Sequence, residues 1–214
     1  MRPIYIIMIL GCMLFFPGAG IYSQDLVGDR PDATESASTV PLGSWQFEMG
    51  YTLGKMGDIK EHSIGELLVR FSLVSKLEFR VGINSLKIID APGISESGLE
   101  DFQLGIKYSI IEDKLALLAG ITLPTGAEAF RVDSAEPALS ILMAHDLSEN
   151  WSIGANLGYA SLSGESDRMN EFFASLALGR SLNDKLGVFF EYFGYFYKKE
   201  DGDSRHYLDT GLTY

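Results

Sequence analysis

Six charged side chains stand inside stretches that are otherwise apolar or that alternate between apolar and polar residues: Glu48, Arg70, Glu78, Arg80, Lys107 and Glu191. Both signs of charge are present, so the six could line an aqueous channel and select solutes by charge. They could equally pair with one another and close a narrow lumen, since buried charges need partners. Either use requires structural elements that point all six side chains into one interior.

Residues 45–53 alternate strictly between large apolar side chains and polar or small ones, and the same period of two returns at 77–83 and 102–110. A period of two places alternate side chains on opposite faces, which is typical of a β-strand. Less regular alternation predicts further strands at 63–73, 115–123, 137–147, 151–162, 171–182, 185–196 and 205–214. The pattern therefore predicts an all-β fold of about ten strands, with the six charges on the polar face.

The connections between these strands alternate in length. Long polar connections at 54–62, 88–98, 124–136, 163–170 and 197–204 take turns with short ones at 74–75, 112–113, 148–150 and 183–184. Outer-membrane barrels have short periplasmic turns, long extracellular loops and an even number of strands. We therefore expect residues 43–214 to form a transmembrane antiparallel up-and-down β-barrel in the cell outer membrane. A soluble barrel is the alternative, but it would place the apolar face inside and leave the mid-strand charges without a hydrated lumen.

The first residues predict export. Arg2 precedes an apolar run at 4–16, and Pro17 and small residues follow, which is typical of a signal peptide spanning residues 1–23. The only cysteine, Cys12, lies within it, so the mature chain has no disulfide or thiolate chemistry. Residues 24–42 then form a periplasmic N-terminal segment that acts as a gate or plug, with an unstructured leader as the alternative. The gate candidates are Asp29, Arg30, Asp32 and Glu35.

Several other functions are disfavoured. A net charge of −12 argues against nucleic acid, which requires clustered Lys and Arg. The spacing of residues predicts no metal site and no cofactor. His62, His145 and His206 have no nucleophile and carboxylate placed beside them by the pattern, so we expect no enzyme activity, with a barrel hydrolase as a remote alternative. The expected partners are outer-membrane lipid and lipopolysaccharide, a small-molecule solute, and the barrel-assembly machinery, for which the terminal Tyr214 is a suitable signal.

Short motifs near the start of the mature chain carry a family resemblance. They are Asp-Arg-Pro-Asp at 29–32, Thr-Glu-Ser at 34–36, Val-Pro-x-Gly at 40–43, Gln-x-Glu-x-Gly-Tyr at 46–51, and later Leu-Pro-Thr-Gly at 123–126. This set resembles the outer-membrane transporter family named for the meta-pathway of phenol degradation. Such proteins more often have a further terminal hairpin, so the barrel has about twelve strands if this chain is truncated.

The resemblance implies a channel or transporter for small hydrophobic or aromatic solutes. The residues alone leave a second function open, which is a closed structural or surface-interaction barrel whose lumen is plugged by its own charges.

Overall fold

The computed structural model describes residues 8–9, 33–164, 167–197 and 204–214. These residues form antiparallel strands and connections, and no helix among them is long and apolar enough to cross a membrane. The strands are β1 (Met8–Ile9), β2 (Trp45–Met56), β3 (Ile59–Val74), β4 (Leu77–Ile83), β5 (Leu86–Ala91), β6 (Ile94–Leu99), β7 (Phe102–Ile111), β8 (Leu115–Leu123), β9 (Glu136–Ser148), β10 (Trp151–Leu162), β11 (Met169–Ser181), β12 (Gly187–Tyr197) and β13 (Arg205–Thr213). Apart from the two residues of β1, the predicted signal peptide lies outside the described residues.

The ten strands predicted from the alternation pair in the order β2, β3, β4, β7, β8, β9, β10, β11, β12, β13. This confirms the all-β, up-and-down antiparallel architecture. The sheet curves until residues of β2 and β3 line the same cavity as residues of β12 and β13. Within the described residues, β2 pairs with β1 on its other side and not with β13, so the sheet surrounds a lumen without a hydrogen-bonded closure.

The polarity of this sheet is the reverse of that of a soluble barrel. Large apolar side chains such as Trp45, Leu157 and Phe190 are exposed on the outer face. Charged side chains fill the interior, where Arg70 is 1% exposed and Lys107 is fully buried. The alternation in the sequence thus assigned the polar face correctly to the inside.

The prediction of a long loop is wrong at two places, where the structure has strands instead. Residues 54–62 are mostly strand, because β2 and β3 continue to a two-residue turn at Gly57 and Asp58, where Gly57 has a φ of +62° that favours glycine. Residues 88–98 contain most of the β5–β6 hairpin, and β5 pairs with the first half of β3 beyond the end of β4. Polar residues such as Lys60 and Glu61 made these stretches look like loops, although backbone pairing alone suffices to extend a ladder.

Lys87 connects the base of the β5–β6 hairpin to β3 through ion pairs. Its ammonium group lies 2.8 Å from Glu61 on β3 and 3.0 Å from Glu100, which follows β6. Burial by itself lowers the pKa of Lys87, but the hydrogen bonds that its ammonium donates to Glu61 and Glu100, with the attraction of the two carboxylates, outweigh burial and raise the pKa above its usual value. Lys87 therefore stays charged, and the hairpin stays tied to β3, across the neutral range of pH.

Asp101 orders the long loop that follows β8. The Asp101 carboxylate is 3% exposed. It accepts hydrogen bonds of 2.7 Å from the backbone N–H groups of Thr125, Gly126 and Val132. One side chain thus binds three backbone donors of the loop, and only the Thr125 N–H among the three also donates to a backbone acceptor, the Leu123 carbonyl oxygen at 2.8 Å, so Asp101 holds the loop in its conformation.

We expect Asp101→Ala to loosen this loop, because each buried N–H group left without an acceptor costs about 1–3 kcal/mol. Hydrogen exchange of the Gly126 and Val132 amides should become much faster, while the amides of β10 and β11 should keep their protection. Asp133→Ala, at an exposed carboxylate of the same loop, is the control. Equal exchange rates in the two variants would contradict the role of Asp101.

Candidate functional site

The lumen has two ends, which differ in their connections. The turns after β3, β7, β9 and β11 lie at the short-turn end, and the strands β4, β8, β10 and β12 end at the opposite, long-loop end. The described N-terminal segment enters from the short-turn end, since β2 begins there at Trp45. The buried charges concentrate in this half of the lumen.

Arg70 is the centre of the charged network. Its guanidinium group donates to Glu48 Oε1 at 2.9 Å, to Glu78 Oε1 at 2.9 Å and to Glu78 Oε2 at 3.0 Å. Arg70 and Arg80 are directly opposite one another on β3 and β4, a repulsive arrangement that Glu78 relieves because Arg80 Nη1 also donates to it at 3.3 Å. The network is therefore built across three neighbouring strands, with both signs of charge buried together.

Residues 33–40 lie inside the lumen, and we call them the plug segment. Ala37 is fully buried against Ala116 and Leu142, and Val40 is 4% exposed. The backbone N–H of Val40 donates to Glu78 Oε2 at 2.8 Å, so the charged network also holds the plug segment. A polypeptide segment thus occupies the space that the inward charges surround.

Glu35 is the charged residue of the plug segment. Its carboxylate lies 2.8 Å from Arg80 Nη2 and 3.9 Å from Lys107 Nζ. Lys107 also donates to the carbonyl oxygens of Ser36 at 2.9 Å and Ser38 at 3.3 Å. Asn156, in the amide orientation that satisfies its neighbours, accepts from the Glu35 N–H at 2.6 Å and donates to the Glu35 carbonyl oxygen at 3.1 Å.

The far wall of the lumen holds the start of the plug segment. Glu191 on β12 is fully buried and accepts hydrogen bonds from the Ala33 N–H, at 2.8 Å, and from the Thr34 hydroxyl. Thr34 also contacts the Ser175 hydroxyl at 2.8 Å. The plug segment is therefore bound on both sides of the lumen.

The six luminal candidates, Glu48, Arg70, Glu78, Arg80, Lys107 and Glu191, are all buried and surround the plug segment. Of the four gate candidates, Glu35 lies within the lumen, and Asp29, Arg30 and Asp32 lie outside the described residues. The structure thus brings Glu35 together with Arg80 and Lys107. The sequence had predicted Glu35 as a gate residue and the other two as luminal residues.

Above the plug segment, toward the long-loop end, lies a cavity of about 850 Å³. Its floor includes Ala33, Glu35 and Arg80. One wall is polar and includes Thr52, Glu66, Gln103, Thr122 and Ser140. The volume falls within the usual range for small-molecule sites, which is about 300–1,000 Å³.

The opposite wall of the cavity is aromatic. Phe193 stacks on Tyr207 at a centroid distance of 4.8 Å, and Tyr195 packs edge-on against both. Phe189 completes this wall of β12 and β13. These residues were not among the sequence candidates. Their parity with Glu191 on β12 was the available signal, since every second residue from a buried charge points inward.

The histidines that were considered for catalysis have other surroundings. His62 Nδ1 lies 2.8 Å from the Tyr51 hydroxyl, and His206 Nδ1 lies 2.8 Å from the Tyr192 hydroxyl. Among the described residues, no three His, Cys, Asp or Glu side chains are grouped so that they could hold a metal ion.

A profile of the family described as "Putative MetA-pathway of phenol degradation" matches residues 28–214. The chain belongs to this family. No curated protein and no solved structure matches the chain significantly. The family match covers the plug segment and the whole sheet from β2 to β13.

We expect Arg70→Met to destabilise the fold by about 3–5 kcal/mol, because it leaves the buried carboxylates of Glu48 and Glu78 without their shared cation. The urea concentration at the midpoint of unfolding should fall accordingly. Lys114→Met, in an exposed turn, removes the same charge from the surface and should leave the midpoint unchanged. Similar midpoints for both variants would show that the network contributes little to stability.

Proposed function

We propose that this protein is an outer-membrane channel for small hydrophobic or aromatic solutes, closed at its periplasmic end by the plug segment. The observation that carries the proposal is the cavity of about 850 Å³, which joins an aromatic wall to a polar wall directly above the plug segment. An amphipathic aromatic molecule can stack on one wall and donate or accept hydrogen bonds at the other. The family name adds a link to phenol degradation.

The outer surface supports a membrane location. The exposed apolar residues form the outer face of the sheet, which suits contact with lipid acyl chains. Trp45, Tyr108 and Trp151 are exposed near the short-turn end, and Tyr51 and Tyr159 lie toward the long-loop end. Two aromatic girdles at the membrane interfaces have this arrangement, with lipopolysaccharide at the outer one.

In this proposal the lumen works without enzyme chemistry or a cofactor. A solute arrives from the long-loop end, because the cavity lies on that side of the plug segment, and is held against Phe193 and Tyr207. Passage to the other end requires the plug segment to move, because residues 33–40 occupy the space between the luminal charges.

A second function, a closed structural barrel, is favoured by the hydrogen bonds of the plug segment. Ala33, Thr34, Glu35 and Val40 all contact buried charged residues of the sheet, so the segment is firmly bound. Such a barrel would need the luminal charges only for stability.

Flux into liposomes separates these two functions. The purified protein should admit phenol faster than glucose, and deletion of residues 33–40 should raise the flux of both by at least about tenfold, because the obstruction is gone. Heat-modifiable migration in gels establishes that each protein is folded. If the folded intact protein passes solutes no faster than empty liposomes and only the deletion variant passes them, the closed structural barrel is the correct function.

The aromatic wall is tested separately. Phe193→Ala and Tyr207→Ala each remove one ring of a stacked pair, an interaction worth about 0.5–1.5 kcal/mol, so the preference for phenol over glucose should fall roughly two- to tenfold. Phe190→Ala removes an exposed ring from the outer face of the same strand and should leave the preference unchanged. An equal effect of all three changes would exclude the wall as a solute contact.

A further inference from the structure

The floor of the cavity consists of a carboxylate bound to cations. Glu35 and Arg80 both line the cavity, and their side chains are 2.8 Å apart. Lys107 stands behind them at 3.9 Å from the Glu35 carboxylate and is fully buried. A solute that reaches the floor therefore meets an ion pair in which one partner belongs to the sheet and the other to the plug segment.

Glu35 supplies a carboxylate to both Arg80 and Lys107. Arg70 already takes Glu48 and both oxygens of Glu78, and Arg80 reaches Glu78 only at 3.3 Å. Glu35 approaches Arg80 more closely than Glu78 does, with contacts of 2.8 and 3.0 Å from Nη2 to its two oxygens. When the plug segment leaves, Arg80 and Lys107 lose this anion, and buried cations that lose an anion are costly.

We infer that Arg80 and Lys107 form a binding site for small carboxylates, which Glu35 occupies when the plug is in place. A solute carboxylate that takes over the contacts of Glu35 offsets the cost of releasing the plug segment. An anion of this kind therefore favours the open state, because it binds that state better than the closed one. The inference rests on the proposed channel function and adds a ligand class and a means of opening to it.

The rest of the cavity directs a carboxylate toward this floor. The walls above the floor carry the acidic Glu66, Glu136 and Asp209 and the basic Arg205, so acidic groups outnumber basic ones there and disfavour an anion that stays higher in the cavity. The aromatic wall faces the same space, so an aryl carboxylate can place its ring on Phe193 and Tyr207 and its anionic group toward Arg80. Benzoate and its neutral isostere benzamide are therefore a matched pair of probes.

Release of the plug segment can be measured without measuring flux. Ala37 is fully buried in the plug segment, and the chain has one cysteine, Cys12. In the full-length Cys12→Ser, Ala37→Cys protein, a water-soluble maleimide should react with the introduced thiol only when the plug segment leaves the lumen. We expect benzoate to raise the alkylation rate by on the order of tenfold, a typical size for coupling between two sites. Benzamide at the same ionic strength should not.

Variants in the same background identify the site. Arg80→Gln should abolish the effect of benzoate, and Lys114→Gln, at the exposed turn, should retain it. If Arg80→Gln does not fold, Glu35→Gln replaces it, because that change should raise the basal alkylation rate and remove the dependence on benzoate. Equal alkylation with benzoate and benzamide would overturn the carboxylate site. A protein with this result that still passes phenol into liposomes would retain the channel function, so the two failures can be told apart.

Discussion

Burial of charge inside the sheet is the constraint on which the rest of this structure depends. Arg70, Lys107, Glu78 and Glu191 are almost inaccessible to solvent, and each requires partners that only other strands or the N-terminal segment can supply. Glu78 meets this requirement for Arg70, Arg80 and the backbone of Val40 together. The position of the plug segment is thus a consequence of the same pairing that joins β2, β3 and β4.

The lumen is divided by this arrangement. Toward the short-turn end, ion pairs and the plug segment fill the interior, and toward the long-loop end a cavity of about 850 Å³ remains. Asp101 and Lys87 order the connections around that cavity through contacts with backbone N–H groups and with β3. An open cavity above a filled half of the lumen has the geometry of a binding site. It can become a path for solutes only when the plug segment moves.

The position of Glu35 connects the two halves. Its carboxylate belongs to the plug segment and binds Arg80, while its side chain also faces the cavity. Occupancy of the cavity and retention of the plug can therefore be coupled through a single ion pair, with no rearrangement of the sheet. This coupling is possible because the curvature of the sheet brings β4, β7 and the N-terminal segment close to one another.

The sequence was sufficient to predict the ten principal strands and the inward direction of Glu48, Arg70, Glu78, Arg80, Lys107 and Glu191. These features follow from a period of two, which is a local property of the backbone. The same local pattern missed the β5–β6 hairpin and the extension of β2 and β3, because pairing between neighbouring backbones does not require apolar side chains. It also missed the aromatic wall, since Phe193 and Tyr207 become neighbours only when β12 and β13 pair in one register.

The contact of Glu35 with Arg80 was decided by tertiary structure alone. The two residues are 45 positions apart in the chain, and their meeting depends on the path of the plug segment through a lumen that exists only after the sheet has curved. No periodicity in the sequence describes such a path. The sequence by itself determined which side chains point into the lumen, because the direction of a side chain in a strand alternates from one residue to the next. The tertiary structure determined which of these side chains bind one another, because binding depends on their distance in space.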